Sequence, residues 1–532
     1  MLHVKRMSVG FAAAVCVLLV SVTALAASLD DRLRTANVHI ANWQMPQALA
    51  EIEAMEKEGH GDNPEVLYTR GRYAFFSGEY KQAMDYLDQA LTDPPDQRAR
   101  QAYEYLRNQV EATHKVTENY KEFKSPNGYF IIRVEPGKDE ILIPYAFETL
   151  ERAYEQFAID FGYRPPPPVR VEIYPKAATL AAVSSLTEEE IKTSGTIALC
   201  KYNRLMFTSP KALLKGYSWR DTLSHEYAHL VITQRSNNTV PIWMHEGLAK
   251  FQERRWRSDE PGERMMLPSS ENLLAEGIKD DKLITFDEMH PSMAKLPSQE
   301  ATGLAFAEVY TVMEYLVSVK GEGVFADLLT LMRNSGDAEK AMEKLLGKTF
   351  KAFQRDWMGY LKTRPSKSFD DEEIFVEKLQ FVEDKPGSEL LDIGQKEARD
   401  LIHLGELLQA RKRYKAAVVE YNKARELIGE RNPVLQTRLA ECLIILGRHE
   451  EAIDALALSL DYYPNFHNTH ALMGEAFYKL GRLQEAEVAM VEAIGLNVFD
   501  PKPHSILAKI YADTDRPEDA TMARTNARIL GG

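Results

Sequence analysis

Cysteine is scarce in this 532-residue chain, with three residues at positions 16, 200 and 442. So few, so scattered, provide no disulfide framework, which excludes a stapled extracellular mini-domain while leaving a bacterial periplasm open. Long apolar runs are equally scarce. One extends from Val9 to Leu25, behind Lys5 and Arg6, and its Ala24-Leu25-Ala26 end precedes polar Ser28 to Asp31. That layout predicts a signal peptide over residues 1–26 and export to the periplasm, with an uncleaved membrane anchor or secretion as the alternatives. No lipidation cysteine follows and no second apolar stretch approaches spanning length, so the mature chain is expected to have no integral span. A basic surplus is missing too: 65 Lys and Arg stand against 79 Asp and Glu, for a net charge of −14. Loss of Lys5 and Arg6 deepens that acidity, which argues against nucleic-acid binding. Low-complexity tracts are absent, and the length suffices for two to four domains.

What the chain has instead is internal periodicity. Small residues recur at Gly405, Ala440, Gly474 and Ala508, again at Ala417, Ala452, Ala486 and Ala520, and again at Ala424, Ser459, Ala493 and Ala527. The N-terminal segment shows the same spacing at Ala36 and Gly71 and at Ala48 and Ala83. The pattern resembles tetratricopeptide (TPR) repeats, whose small residues let two antiparallel helices approach closely. It implies about two repeats over 30–115 and about four over 395–532, with 363–394 as a linker.

Between the arrays the period changes. Tyr129 to Val134, Val169 to Tyr174 and Arg204 to Thr208 are β-rich and read as strands, and Pro144 to Phe161 carries apolar residues at helical spacing. Beyond Thr208 the chain reads as helix and loop, giving an α+β plan over 125–362, flanked by all-α modules.

His225-Glu226-Tyr227-Ala228-His229 fits HExxH, a match expected by chance about 0.05 times in a chain of this composition. Leu223, Tyr227, Leu230 and Val231 make an apolar stripe predicting a helix through the motif. Histidines four apart then share a face, with Cβ atoms about 6 Å apart, so both can reach one ion. Glu226 is displaced round the helix, where it can contact the water to be activated. A catalytic zinc needs a third protein ligand. The metzincin spacing would put Gly and His where Ile232 and Arg235 stand, so it fails.

The segment Trp243-Met244-His245-Glu246-Gly247-Leu248-Ala249 resembles the W-x-x-E-G-L-A motif of the peptidase MA-like (gluzincin) family. That resemblance covers about residues 125 to 362. It implies a zincin-like fold, one Zn2+ held by His225, His229 and Glu246, and peptide hydrolysis with Glu226 as general base. His245 is assigned a surface or packing role. Glu253 reads equally as a carboxylate orienting a ligand histidine or as an exposed helix charge. Where related aminopeptidases place an oxyanion-binding tyrosine, alignment on Tyr315-Leu316 puts Phe306, and Tyr310, one turn further on, is the substitute. Arg204 to Thr208 is expected to be an edge strand that binds substrate backbone.

The function implied is a zinc peptidase of the cell envelope, endopeptidase slightly preferred, with TPR grooves binding substrate or partner proteins. The alternative is a catalytically inactive TPR scaffold retaining a metallopeptidase fold.

Overall fold

The computed structural model describes residues 28–259, 264–364, 379–382 and 389–532. The expected signal peptide and most of the expected linker lie outside these residues. None of the described helices is long and apolar enough to cross a membrane.

The fold is mostly helical around one small mixed sheet. β1 (Lys121–Lys124), β2 (Phe130–Val134), β3 (Val169–Tyr174), β4 (Ala198–Lys201) and β5 (Arg204–Thr208) lie in the order β1-β2-β3-β5-β4. β2, β3 and β5 run parallel, while β1 and β4 are antiparallel edges. This corrects one expectation: β5 is interior, every residue of it is buried, and β4 is the edge on that side. A strand covered on both faces reads as a continuous apolar run, and Arg204 in β5 obscured even that.

Arg204 is buried because the N-terminal helices cover its face of the sheet. Its Nε lies 3.1 Å from Glu172 Oε2, and Tyr80, from the Tyr80–Ala90 helix, donates to the same carboxylate. Removing one partner would strand a charge without solvent, so this contact fixes the N-terminal helices to the sheet.

On the opposite face the Leu142–Phe161 helix packs against the Trp219–Ser236 helix, which carries HEYAH and buries sixteen of its eighteen residues. Helices Ile242–Gln252 and Gln299–Lys320 complete that layer. The C-terminal part forms four antiparallel pairs, starting with Lys396–Ala410 and Tyr414–Ile428 and ending with Pro501–Asp513 and Pro517–Leu530. The small residues at the pair contacts are there for space: a Cβ on Gly405 would lie 2.3 Å from the Tyr421 ring.

The last two pairs are not a free appendage. Ala486, Met490, Ile494 and Leu507 belong to the same buried core as the sheet and the motif helix, whereas the first two pairs, with Leu472, Met473 and Ala476 of the third, build a separate core. Trp219 Nε1 donates to Ile494 O at 2.9 Å, and Tyr217 N to Leu496 O at 2.8 Å. The entry to the motif helix is thereby held by the helix Leu483–Leu496.

Candidate metal centre

The motif helix ends at Asn237, and Asn237 and Asn238 both take left-handed backbone angles, with φ of +56°. Asparagine tolerates that region better than most residues, so the chain reverses there and starts the next helix at Ile242. This second helix lies almost on the backbone of Gln299–Lys320. A Cβ at Gly247 would fall 2.9 Å from both Val309 O and Met313 Cε. Glycine at 247 therefore sets how closely the helix, and Glu246 with it, is seated.

Glu246 Oε2 lies 3.3 Å from His225 Nε2 and 3.2 Å from His229 Nε2. Donors each about 2.1 Å from a tetrahedral zinc would stand roughly 3.4 Å apart, so the spacing fits such an ion. His225, Glu226 and His229 also offer ligand atoms within 4.8 Å of one another. Glu246 is the better third donor, because one of its oxygens meets both imidazoles. Glu226 Oε2 is buried without a hydrogen-bond partner among the described residues, and an unsatisfied buried carboxylate oxygen marks a place where a ligand is wanted.

Burial disfavours charge on His225, yet Glu246 and Glu253 outweigh it and push its pKa up to about 10. Burial also works against the Glu246 carboxylate, but His229 and His225 hold it well below the usual range. The site thus prefers a cation opposite Glu246, a place that the proton on His225 fills and a metal would take. Glu226 moves the other way: burial raises its pKa, only partly offset by His229 and His225.

The structure brings His225, Glu226, His229 and Glu246 together and sets His245 and Glu253 against the two histidines. His245 lies inside the site, its Nδ1 2.6 Å from His229 Nδ1 and its Nε2 3.1 Å from Thr233 Oγ1. Burial and His229 lower its pKa to about 3, so the neutral ring accepts the His229 proton and leaves His229 Nε2 free toward Glu246. Glu253, 3.5 Å from His225 Nδ1 and 2.7 Å from Lys250 Nζ, stands in the equivalent position against the other histidine. No spacing rule points to a histidine beside a ligand, so His245 had no signal in the sequence.

A cleft of about 530 Å³ opens over these groups, lined among others by Trp43, Cys200, Glu226, Glu246 and Phe306. Phe306 faces the His225 ring at 6.0 Å between centroids. Tyr310 is not among the lining residues; it is buried against Phe251, with ring centroids 5.0 Å apart. The helix that carries both therefore turns the phenyl to the cleft and the phenol to the core.

Residues 149–363 match the family model of the Peptidase MA superfamily. The chain contains a Peptidase MA domain. Residues 435–466 match the tetratricopeptide repeat. The uncharacterized protein YhcO of Bacillus subtilis is 22% identical over 256 residues, covering 46% of this chain and 72% of that protein. Among solved structures, MamA of Desulfovibrio magneticus RS-1 (19% identity, TM-score 0.24) covers 27% of this chain and 81% of its own. Leukotriene A4 hydrolase of Saccharomyces cerevisiae (11% identity, TM-score 0.30) covers 78% of this chain and 67% of its own. The Peptidase MA match itself spans β3, the motif helix and the Gln299–Lys320 helix, and so contains all four convergent residues of the site.

Proposed function

We propose that this protein is a zinc-dependent peptidase with a zincin-like domain over 125–362, exported to the cell envelope, whose repeats at 30–115 and 395–532 bind substrate or partner proteins. The observation that carries the reading is the convergence of His225, His229 and Glu246 within 3.3 Å contacts, with Glu226 Oε2, unpartnered among the described residues, beside them. Zinc held by His225, His229 and Glu246 would polarise the scissile carbonyl and ease deprotonation of the attacking water. Glu226 takes that proton, its burial making it a stronger base, and passes it to the leaving amine. His245 and Glu253 keep the ligand histidines in orientation. Ala198, Leu199 and Cys200 of edge strand β4 line the cleft, so an extended substrate adds along β4.

One observation favours a second reading. Among the described residues the cleft lining contains Phe306 and no tyrosine, so they supply no phenolic oxyanion donor, as in a catalytically inactive scaffold that keeps the fold. A chelator decides between them. If the first reading holds, the mature chain cleaves a denatured protein, loses that activity to chelation and regains it with one equivalent of zinc. Stoichiometric zinc without cleavage would favour the scaffold.

A further inference from the structure

The turn between paired helices recurs in every repeat with one residue in left-handed backbone: glycine at 78, 447 and 481, Lys412 and Asp515 in two others, and in the first repeat an aromatic, Trp43. At Gly78, Gly447 and Gly481 the residue after the helix cap has positive φ, 76° to 77°. Its N–H bonds three residues back and the next N–H five residues back, as with Gly447 N to Ile444 O and Arg448 N to Leu443 O. This is the helix stop that glycine fits best. In the first repeat the position belongs to Trp43, with φ of +57°, Trp43 N on Ile40 O at 3.1 Å and Gln44 N on His39 O at 2.8 Å. A bulky aromatic in left-handed backbone is strained, and such strain persists where the surroundings hold it and function uses it.

The surroundings do hold it. Gln44 Nε2 donates to Asn237 Oδ1 at 2.8 Å, and Gln44 Oε1 lies 2.6 Å from His39 Nδ1. Asn237 is the cap of the motif helix, so this chain of contacts fastens the repeat turn to the C-terminal end of the element that carries His225 and His229. Trp43 is half-buried and lines the same cleft as Glu226 and Glu246, together with Asn238, Val240 and Ile242 from the reversal between the two site helices.

We infer that Trp43 forms the wall of a substrate subsite taking an apolar, preferably aromatic, side chain of a bound peptide, so that the N-terminal repeat selects sequence at the cleft itself. This deepens the peptidase reading and rests on it for the identity of the ligand. An aromatic ring against an apolar side chain discriminates against serine or aspartate at the same place.

The test uses the full chain lacking only residues 1–26, with Glu226→Gln to stop turnover. The probes are fluorescein-labelled unstructured peptides that differ at one position, Phe or Ser. Trp43→Gly is expected to lower affinity for the Phe peptide about tenfold and to leave the Ser peptide within about twofold, while Trp43→Phe keeps most of the preference. Glycine suits this turn, and Trp43→Asn, also compatible with positive φ, serves if the glycine variant melts early. Equal losses for both peptides, no loss, or no binding by the unsubstituted Trp43 protein would overturn the inference. Discrimination in binding without cleavage by the Glu226 protein would sink the peptidase reading and leave the subsite standing; cleavage without discrimination would do the reverse.

Discussion

His229 uses both ring nitrogens, one toward Glu246 and one, 2.6 Å away, toward His245. Partners that orient a ligand histidine are worth about 10–100-fold in metal affinity. His245→Ala is therefore expected to weaken zinc binding by about that factor in a competition titration with a chromophoric chelator, with the far-UV circular dichroism unchanged; undiminished affinity would reduce His245 to packing. HEYAH itself was fully legible, since its chemistry is a matter of spacing on one helix. Glu246 became legible through Trp243, Gly247 and Ala249 around it. Tyr310 misled because helical periodicity places a residue on a face without saying what that face meets, and here the phenol meets Phe251. A different residue offers a test by pH. Glu308 is 1% exposed, with Oε1 accepting from Ile284 N at 2.8 Å, and burial pushes its pKa up to about 8. Because its folded pKa lies above the unfolded value, the unfolded chain gives up this proton first as pH rises. Stability is thus lost progressively between about pH 4.5 and 8, on the order of 3 kcal/mol by pH 7. Glu308→Gln keeps the acceptor and is expected to raise the melting temperature near pH 8 and to change little near pH 4; a pH-independent effect would contradict the assignment.

Two elements decide where the site groups stand. The Ile242–Gln252 helix is held by its glycine against Val309 O and Met313, so Gly247→Ala forces the helices apart. Overpacking of this kind costs about 1–3 kcal/mol. The variant should melt lower and, because Glu246 moves with the helix, bind zinc more weakly; full zinc affinity with a lowered melting point would separate the two effects. The other element is β4. Strands β2, β3 and β5 announced themselves by composition, but Ala198–Lys201 is only four residues long and its order in the sheet is not written in its periodicity. The edge role consequently fell on β5 in the sequence and belongs to β4 in the fold. The paired helices were readable because close approach needs small residues at fixed intervals, as at Gly405 against Tyr421.

At the scale of the molecule, the repeats and the Peptidase MA domain share structure that no repeat pattern reports. The last two helix pairs complete the core under the motif helix, and Ile494 and Leu496 accept from Trp219 and Tyr217 at its entry. Glu492 adds an ion pair with Arg257 at 2.7 Å, and Arg257 also grips Asp221 in the first turn of the motif helix. A chain ending before residue 395 is accordingly expected to lose its cooperative thermal transition, because apolar surface and two buried donors would be exposed together. A truncated chain that melts cooperatively would show the arrays to be accessory. At the other end, Trp43 and Gln44 bring the N-terminal repeat to the cleft, so both arrays bear on the same centre. The central claim is that this centre hydrolyses peptide bonds through Glu226. It is tested most directly by incubating an unfolded protein with equal amounts of zinc-loaded wild-type chain and Glu226→Gln, zinc content measured in both. The account expects one zinc per chain in each and cleavage slowed about 10²- to 10⁴-fold in the variant. Equal cleavage by the two proteins, or none by either at full zinc occupancy, would contradict it.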